Sequence, residues 1–261
     1  MLLIDKYAYF NKLQHVHPIE KITFAIGFLL FSLIVQDVLV SLITFIVMSA
    51  FTIFIAKIPF RYYLKLLFAP SFFLLSGIIT ILFSFTYETI TVPSVWQTAI
   101  GNIQIYIGQD SMKQAVTLLF VVSGSISCLY FLILTTPLSA ILDVLRKLKV
   151  PSLFIEIVAL TYRFIFVFFE SATMIYQAQS SRLGYTTIRQ SIRSLGMLIS
   201  MLFFKVFQKT SQLSMAMNSR GYEENLVFIE PEYPYSIRNW IIIASLFISL
   251  TVVYFVTGGH V

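Results

Sequence analysis

The chain alternates long apolar stretches with short polar or basic ones. Since a membrane-spanning helix needs about 20 mainly apolar residues, the uncharged runs predict five transmembrane helices, at residues 22–36, 38–56, 66–86, 115–142 and 239–257. A tight turn at Gln36 and Asp37 separates the first two helices, because one continuous helix would place the Asp37 carboxylate at bilayer depth. Pro18, with Glu20 just after it, predicts the start of the first helix. Residues 88–109 contain proline and glycine but no basic residue, and they predict an external loop with a short interfacial or re-entrant piece.

A polar and basic island, residues 177–224, interrupts this pattern. Within it, apolar residues recur at intervals of three and four, which is the spacing of one face of a helix. These residues are Ile188, Ile192, Leu195, Ile199, Leu202 and Val206. The island therefore predicts a rigid amphipathic helix with an arginine near each end, held at a membrane surface.

The composition indicates an integral membrane protein. Of the 261 residues, 58% are hydrophobic and 11% are charged, whereas a soluble domain has roughly a quarter charged residues. The net charge of +6 is explained by the preference of basic residues for the cytoplasmic side and does not indicate nucleic-acid binding. Five spans place the basic clusters of residues 6–21, 57–65, 146–149 and 182–238 on one side, so we predict a cytoplasmic N-terminus and an external C-terminus.

The segment 152–176 is apolar but carries Glu156, Arg163 and Glu170 seven residues apart, on one helical stripe. A sixth span here would move the arginine-bearing helix outside, against the charge rule. We therefore predict a helix that leaves the bilayer obliquely and packs its apolar sides under the spans, with this possible polar stripe between cytoplasmic helices. The predicted fold class is an all-α membrane protein in three parts, residues 1–150, 151–238 and 239–261.

Two similar motifs lie near the ends of the central helix. In each, an alanine lies four residues before an arginine, a serine precedes the arginine, and a glycine and a tyrosine, Tyr185 or Tyr222, follow closely. An arginine presents a planar fork suited to carboxylates of a partner, and small neighbours let a partner approach closely. Two such arginines suit two equivalent grooves, as on a dimeric partner. The residues of this predicted docking surface are Ala178, Arg182, Gly184, Ala216, Ser219, Arg220 and Gly221.

These motifs resemble the twin alanine-arginine-glycine motifs of the transmembrane coupling (T) subunit of energy-coupling factor (ECF) transporters. The first copy departs from the three-residue form, because Leu183 stands between the arginine and the glycine. The opening Ile4-Asp5-Lys6-Tyr7-Ala8-Tyr9, followed by His17-Pro18-Ile19-Glu20-Lys21, is also similar to this family. The resemblance covers essentially the whole chain and is strongest to the cobalt/nickel branch, whose T subunit is called CbiQ.

The resemblance implies a scaffold subunit that is not itself an enzyme. Such a subunit would bind two ATP-binding-cassette ATPases, which hold the ATP, and would contact a separate substrate-binding subunit in the bilayer. Arg182 and Arg220 would each insert into a groove of one ATPase. The resemblance implies no cofactor of the subunit itself, and a substrate that is cobalt, nickel or a vitamin.

Other functions stay open from the residues alone. No phosphate-binding glycine loop and no nucleophile-histidine constellation is apparent. A stand-alone secondary carrier would have to use Asp37 or the stripe of Glu156, Arg163 and Glu170, and a scaffold with unrelated partners is a third possibility. His15 and His17 are too few for a metal site and predict a solvated segment. Residues 223–234 are acidic and contain proline, which predicts a linker into the last span.

Overall fold

The structure, a computed structural model, describes residues 3–86, 94–100, 103–221 and 233–256. The elements in chain order are α1 (Leu3–Phe10), α2 (Pro18–Val35), α3 (Val38–Ala50), a π-helix (Phe51–Ile55), α4 (Phe60–Leu82), β1 (Ser84–Thr86), β2 (Ser94–Ile100), β3 (Ile103–Gly108), α5 (Gln109–Thr135), α6 (Leu138–Lys147), α7 (Ser152–Ser181), α8 (Ile188–Ser219) and α9 (Ile237–Val256). The chain divides into two compact units. We call residues 2–140 and 232–261 the bundle unit, and residues 141–231 with Met1 the hairpin unit.

The predicted all-α membrane class is confirmed. Seven helices in the described part of the chain are long and apolar enough to cross a membrane, two more than the five predicted. The two additional helices are α7 and α8, both of the hairpin unit, and α8 has the lowest mean hydropathy of the seven, 1.2 against 1.8–2.6. Both helices are long and apolar enough to cross a membrane by length and composition, whereas the five-span prediction also used the distribution of charge.

The turn between the first two spans is confirmed, and the residues of the turn itself stabilise it. Gln36 ends α2 in the left-handed region, with φ of 49°. The Asp37 carboxylate then caps α3 by accepting the Leu39 N–H at 2.7 Å. A short polar side chain at an N-cap satisfies a backbone donor that the helix leaves free. The predicted helix start at Pro18 is also confirmed, with His17 Nδ1 accepting the Ile19 N–H at 3.1 Å.

The core of the bundle unit lies between α2, α3, α5 and α9. Its fully buried side chains include those of Phe24, Phe28, Met48, Phe131 and Leu250. Aromatic rings make edge contacts there, with the Phe24 and Phe131 centroids 5.5 Å apart. Close-packed apolar surface of this kind fixes the relative positions of the four helices.

The predicted fourth span was too long. The helix α5 ends at Thr135, and Thr136 is extended, with φ of −126° and ψ of 112°. The cause is Pro137, because the ring of a proline disfavours helical geometry in the preceding residue. The chain resumes as the separate helix α6 at Leu138.

The predicted external loop at residues 88–109 contains strands. β1, β2 and β3 form an antiparallel sheet in the order β1-β3-β2, with Phe85 and Thr98 both paired with Ile105. The sequence carries the signal, because β-branched isoleucines alternate through residues 103–107. The π-helix at Phe51–Ile55 was also not predicted; it lies within the predicted second span.

The predicted helix across residues 188–206 is confirmed as part of α8. Only part of its apolar stripe is covered within the hairpin unit. Leu202 and Val206 line a crevice with Val167, Phe168 and Ser171 of α7. The earlier members of the stripe, Ile188, Ile192 and Ile199, are 66–83% exposed.

Candidate functional site

The two arginines of the predicted docking surface occupy the same structural position. Arg182 is the C-cap of α7 and Arg220 is the C-cap of α8, with backbone angles (φ, ψ) of −94°, 15° and −98°, 12°. The N–H of Arg182 donates to the carbonyl of Gln179 at 3.1 Å, and that of Arg220 donates to the carbonyl of Met217 at 3.0 Å. Both side chains are exposed. Each helix therefore ends by presenting an arginine.

The residue after each arginine also repeats. Leu183 has φ of 63° and Gly221 has φ of 69°, so both are in the left-handed region. The Leu183 N–H donates to Ser180 at 3.0 Å, and the Gly221 N–H donates to Asn218 at 3.1 Å. Left-handed residues at this position are a common way to end a helix, and glycine usually supplies them. Leu183 thus stands where glycine stands in the second motif.

The serine before each arginine completes the match. Ser181 Oγ donates to the carbonyl of Gln177 at 3.0 Å, and Ser219 Oγ donates to that of Met215 at 2.9 Å. Both hydroxyls therefore turn back onto their own helix. The alanines of the motifs, Ala178 and Ala216, are exposed as well. Each arginine therefore has a small alanine and a small serine nearby, and the two serine hydroxyls already donate hydrogen bonds.

Gly184, the glycine of the first motif, has a different role. Its N–H donates to the carbonyl of Gln179 at 2.9 Å, and its own carbonyl accepts from Ser194 Oγ at 2.8 Å. A Cβ at this position would lie 2.8 Å from Ser194 Oγ and 2.9 Å from the Gln179 oxygen. Gly184 therefore permits α8 to approach the end of α7.

The connection from α7 to α8 is short and hydrogen-bonded throughout. Tyr185 Oη donates to Gln179 Oε1 at 2.7 Å. Thr187 caps α8 by accepting the Gln190 N–H at 3.3 Å, and Gln190 Oε1 accepts from the hydroxyl of Thr186. Sequence reasoning included Tyr185 in the first motif but missed Thr186, Thr187, Gln190 and Ser194. The pair Thr187 and Gln190 has the spacing of a capping box and could have been found; Ser194 carries no such signal.

The stripe of Glu156, Arg163 and Glu170 is not uniform. Glu156 is buried, with 5% of its surface exposed, whereas Arg163 and Glu170 are exposed. The three residues are on one helix, α7, as predicted, but they lie in different surroundings.

The histidines considered for a metal site are not brought together. His15 is exposed, while His17 is buried and stacks on Tyr235 with ring centroids 3.9 Å apart. Across the described ranges, no group of three histidine, cysteine, aspartate or glutamate side chains could hold a metal ion. The acidic part of the predicted linker, residues 223–232, and Tyr222 of the second motif lie outside the described residues.

Comparison with known proteins shows which family the chain is similar to. The sequence profile of the family described as cobalt transport protein, CbiQ, matches residues 10–229. The chain is 30% identical to an uncharacterized protein of Methanocaldococcus jannaschii, over 98% of this chain and 93% of the relative. It is 33% identical to a putative fused cobalt transport protein CbiMQ of Methanocorpusculum labreanum, over 88% of this chain and 38% of that longer protein. It is 24% identical to the cobalt transport protein CbiQ of Salmonella typhimurium, over 84% of this chain and 96% of the relative.

Proposed function

Because the chain belongs to the CbiQ family of cobalt transport proteins, we propose that it is the energy-coupling subunit of an ATP-driven importer of the ECF type. As a family member it is a multi-pass membrane component of a transporter. In the proposed complex, two ATP-binding-cassette ATPases bind and hydrolyse ATP, and this subunit transmits their closure to a separate membrane subunit that binds the substrate. The N-terminus and the hairpin unit would face the cytoplasm, in line with the distribution of basic residues.

The observation that carries the proposal is the equivalence of the two helix ends. Arg182 and Arg220 share backbone angles, capping hydrogen bonds and a following left-handed residue. Two copies of one structure suit two copies of one partner surface. Since arginine pairs with carboxylates in a planar, two-pronged geometry, acidic grooves on the two ATPases are the expected counterparts.

The length of α8 supports two separate contacts. Its 32 residues correspond to a helix of about 48 Å at 1.5 Å per residue. The two motifs flank this helix, so one ATPase could contact each end without competing for the same surface. A continuous helix is also stiff enough to carry a displacement from one end to the other.

The membrane partner is supported by a relative. The fused protein of Methanocorpusculum labreanum joins a CbiQ part to a CbiM part in its name. We therefore propose that the substrate-binding partner of this chain is a CbiM-like subunit and that the complex imports cobalt. Nickel and vitamins are the alternative substrates, and the partner subunit would determine which one is imported.

Co-purification tests the coupling role. The chain is coexpressed with candidate ATP-binding-cassette subunits and a CbiM-like subunit, and is isolated as wild type or as the Arg182→Glu/Arg220→Glu variant. We expect the double variant to enter the membrane normally but to lose the ATPases and cobalt uptake, because two charge reversals oppose acidic grooves. The measurement is the amount of each subunit per purified chain, together with uptake of radioactive cobalt.

The matched control is Arg189→Glu/Arg193→Glu. These two arginines are also exposed and lie in the first turns of α8, so the charge change is the same but both motifs stay intact. The control should retain the ATPases. Equal binding by both double variants would refute the coupling role of Arg182 and Arg220.

A stand-alone carrier is the alternative function, and the burial of Glu156 is the observation in its favour. If the chain is a stand-alone carrier, the wild type takes up substrate in cells that lack the ATPases, and Glu156→Gln abolishes that uptake. The coupling proposal expects no uptake in such cells even by the wild type. Uptake assays with and without the ATPase genes therefore separate the two functions.

A further inference from the structure

The bundle unit contains a cavity that the proposed coupling role does not use. Its volume is about 310 Å³, near the lower end of the roughly 300–1,000 Å³ of small-molecule pockets. The walls are mainly apolar and come from α2, the π-helix, α5 and α9. The side chains that form them include Phe24, Phe51, Ile55, Phe131, Ile242 and Ile243.

The π-helix lies in the wall of this cavity. Phe51 and Ile55, its first and last residues, both line the space. The Ala56 N–H donates to the Phe51 carbonyl at 2.9 Å, which closes the wide turn. Turns of this kind are rare inside helices and occur frequently at functional sites. The wall is therefore formed by an irregular feature, and not only by regular helix packing.

The polar part of the lining lies at one rim. Glu20 and Lys21 belong to the first turn of α2, and Arg238 and Asn239 to the first turn of α9. The Glu20 carboxylate accepts from Asn239 Nδ2 at 2.7 Å and from the Ser236 N–H at 3.1 Å. These bonds satisfy the acidic group of the rim.

The basic groups of the rim differ from each other. Lys21 is 4% exposed, and its Nζ donates to the carbonyls of Thr135 at 2.9 Å and Leu13 at 3.3 Å. Arg238 is exposed. Because the charges of Glu20 and Lys21 cancel, the rim keeps one net positive charge, at the accessible guanidinium. The positive ends of two helix dipoles add to it.

We propose that this cavity binds one anionic phospholipid, with an acyl chain between the aromatic walls and the phosphate at Arg238. A free phosphate would not use the apolar walls, and a neutral lipid would not use the charge. Basic pockets between membrane helices are known to hold anionic headgroups. The bilayer around a multi-pass protein supplies this ligand directly.

Native mass spectrometry of the detergent-purified full chain tests the charge. The protein is incubated with phosphatidylglycerol or with phosphatidylcholine, and the bound lipid is counted. We expect phosphatidylglycerol to be retained preferentially and Arg238→Gln to weaken its binding about fivefold, the loss expected for one basic residue. Arg61→Gln is the control, because Arg61 is exposed and is the second residue of α4, as Arg238 is of α9.

A second pair of variants tests the cavity. Ile242→Trp should fill the space and remove the bound lipid, whereas Ile241→Trp, at a neighbouring position that does not line the cavity and is 63% exposed, should retain it. Excess inorganic phosphate should not displace the lipid. Equal retention of both lipids, equal losses in Arg238→Gln and Arg61→Gln, equal retention in the two tryptophan variants, or displacement by phosphate would each overturn the proposal.

Discussion

The ends of α7 and α8 have the same backbone structure although their residues differ. At both ends an exposed arginine closes the helix and the next residue is left-handed, but that residue is Leu183 in one case and Gly221 in the other. A left-handed leucine costs about 1–2 kcal/mol, because its Cβ approaches the following carbonyl oxygen. The two helix ends are therefore more alike in backbone geometry than in sequence.

The two ends also differ in what supports them. The end of α7 contacts α8 through Gly184 and Ser194. A Cβ at Gly221, in contrast, would meet no atom within 4 Å among the described residues. This tertiary contact is made by Gly184, the residue that follows the left-handed Leu183. At the second end a glycine adopts the left-handed conformation, which costs it little because it has no Cβ.

The strongest test of equivalence removes one arginine at a time. Arg182→Ala and Arg220→Ala should each weaken ATPase binding by about 30-fold, as expected for truncation of an interface hot spot worth about 2 kcal/mol. If the ends are equivalent, the two losses agree within a factor of three or so. Binding to the purified ATPase dimer measures them, with Arg189→Ala as the control. A loss in only one variant would contradict the equivalence.

The second test breaks the support of the first end. Gly184→Ala should lower the free energy of unfolding by about 1–3 kcal/mol, the usual cost of overpacking, because its Cβ would overlap Ser194 Oγ and the Gln179 carbonyl. The control is Gly196→Ala, since Gly196 lies inside α8 with nothing within 4 Å of the added carbon. That change should stabilise by about 0.5–1 kcal/mol.

Thermal unfolding of the detergent-purified variants provides the measurement. Uptake should fall with the stability of Gly184→Ala and should not fall in Gly196→Ala. If the two alanine variants are equally stable, the close approach of α8 to Gly184 is wrong.

The smallest effect comes from exchanging the left-handed residues. Leu183→Gly relieves the left-handed strain of about 1–2 kcal/mol but raises the entropy of the unfolded chain, which opposes folding by about 0.4–1 kcal/mol. We therefore expect a net stabilisation between about 0 and 1.6 kcal/mol. Gly221→Leu should destabilise the end of α8 by a similar amount. Hydrogen exchange at the last turns of α7 and α8 reports both. Shifts in the same direction would show that the two ends are not comparable.

Local signals predicted much of this architecture. The turn at Gln36 and Asp37 and the helix start at Pro18 follow from residue chemistry within a few positions, and both are confirmed. The break at Pro137 and the strand alternation before Gly108 also have local signals in the sequence. The π-helix had none, because its residues, Phe51–Ile55, are as apolar as the run around them.

The sequence by itself determined the membrane class, the order of the apolar helices and the positions of the two arginine motifs, because hydrophobicity, helical period and capping act over a few neighbouring residues. Only the tertiary structure decided that Leu183 and Gly221 occupy the same position and that Gly184 serves helix packing. It also placed the rim residues of α2 and α9, more than 200 positions apart, around one cavity. Contacts between residues distant in the chain depend on packing, which no local pattern encodes.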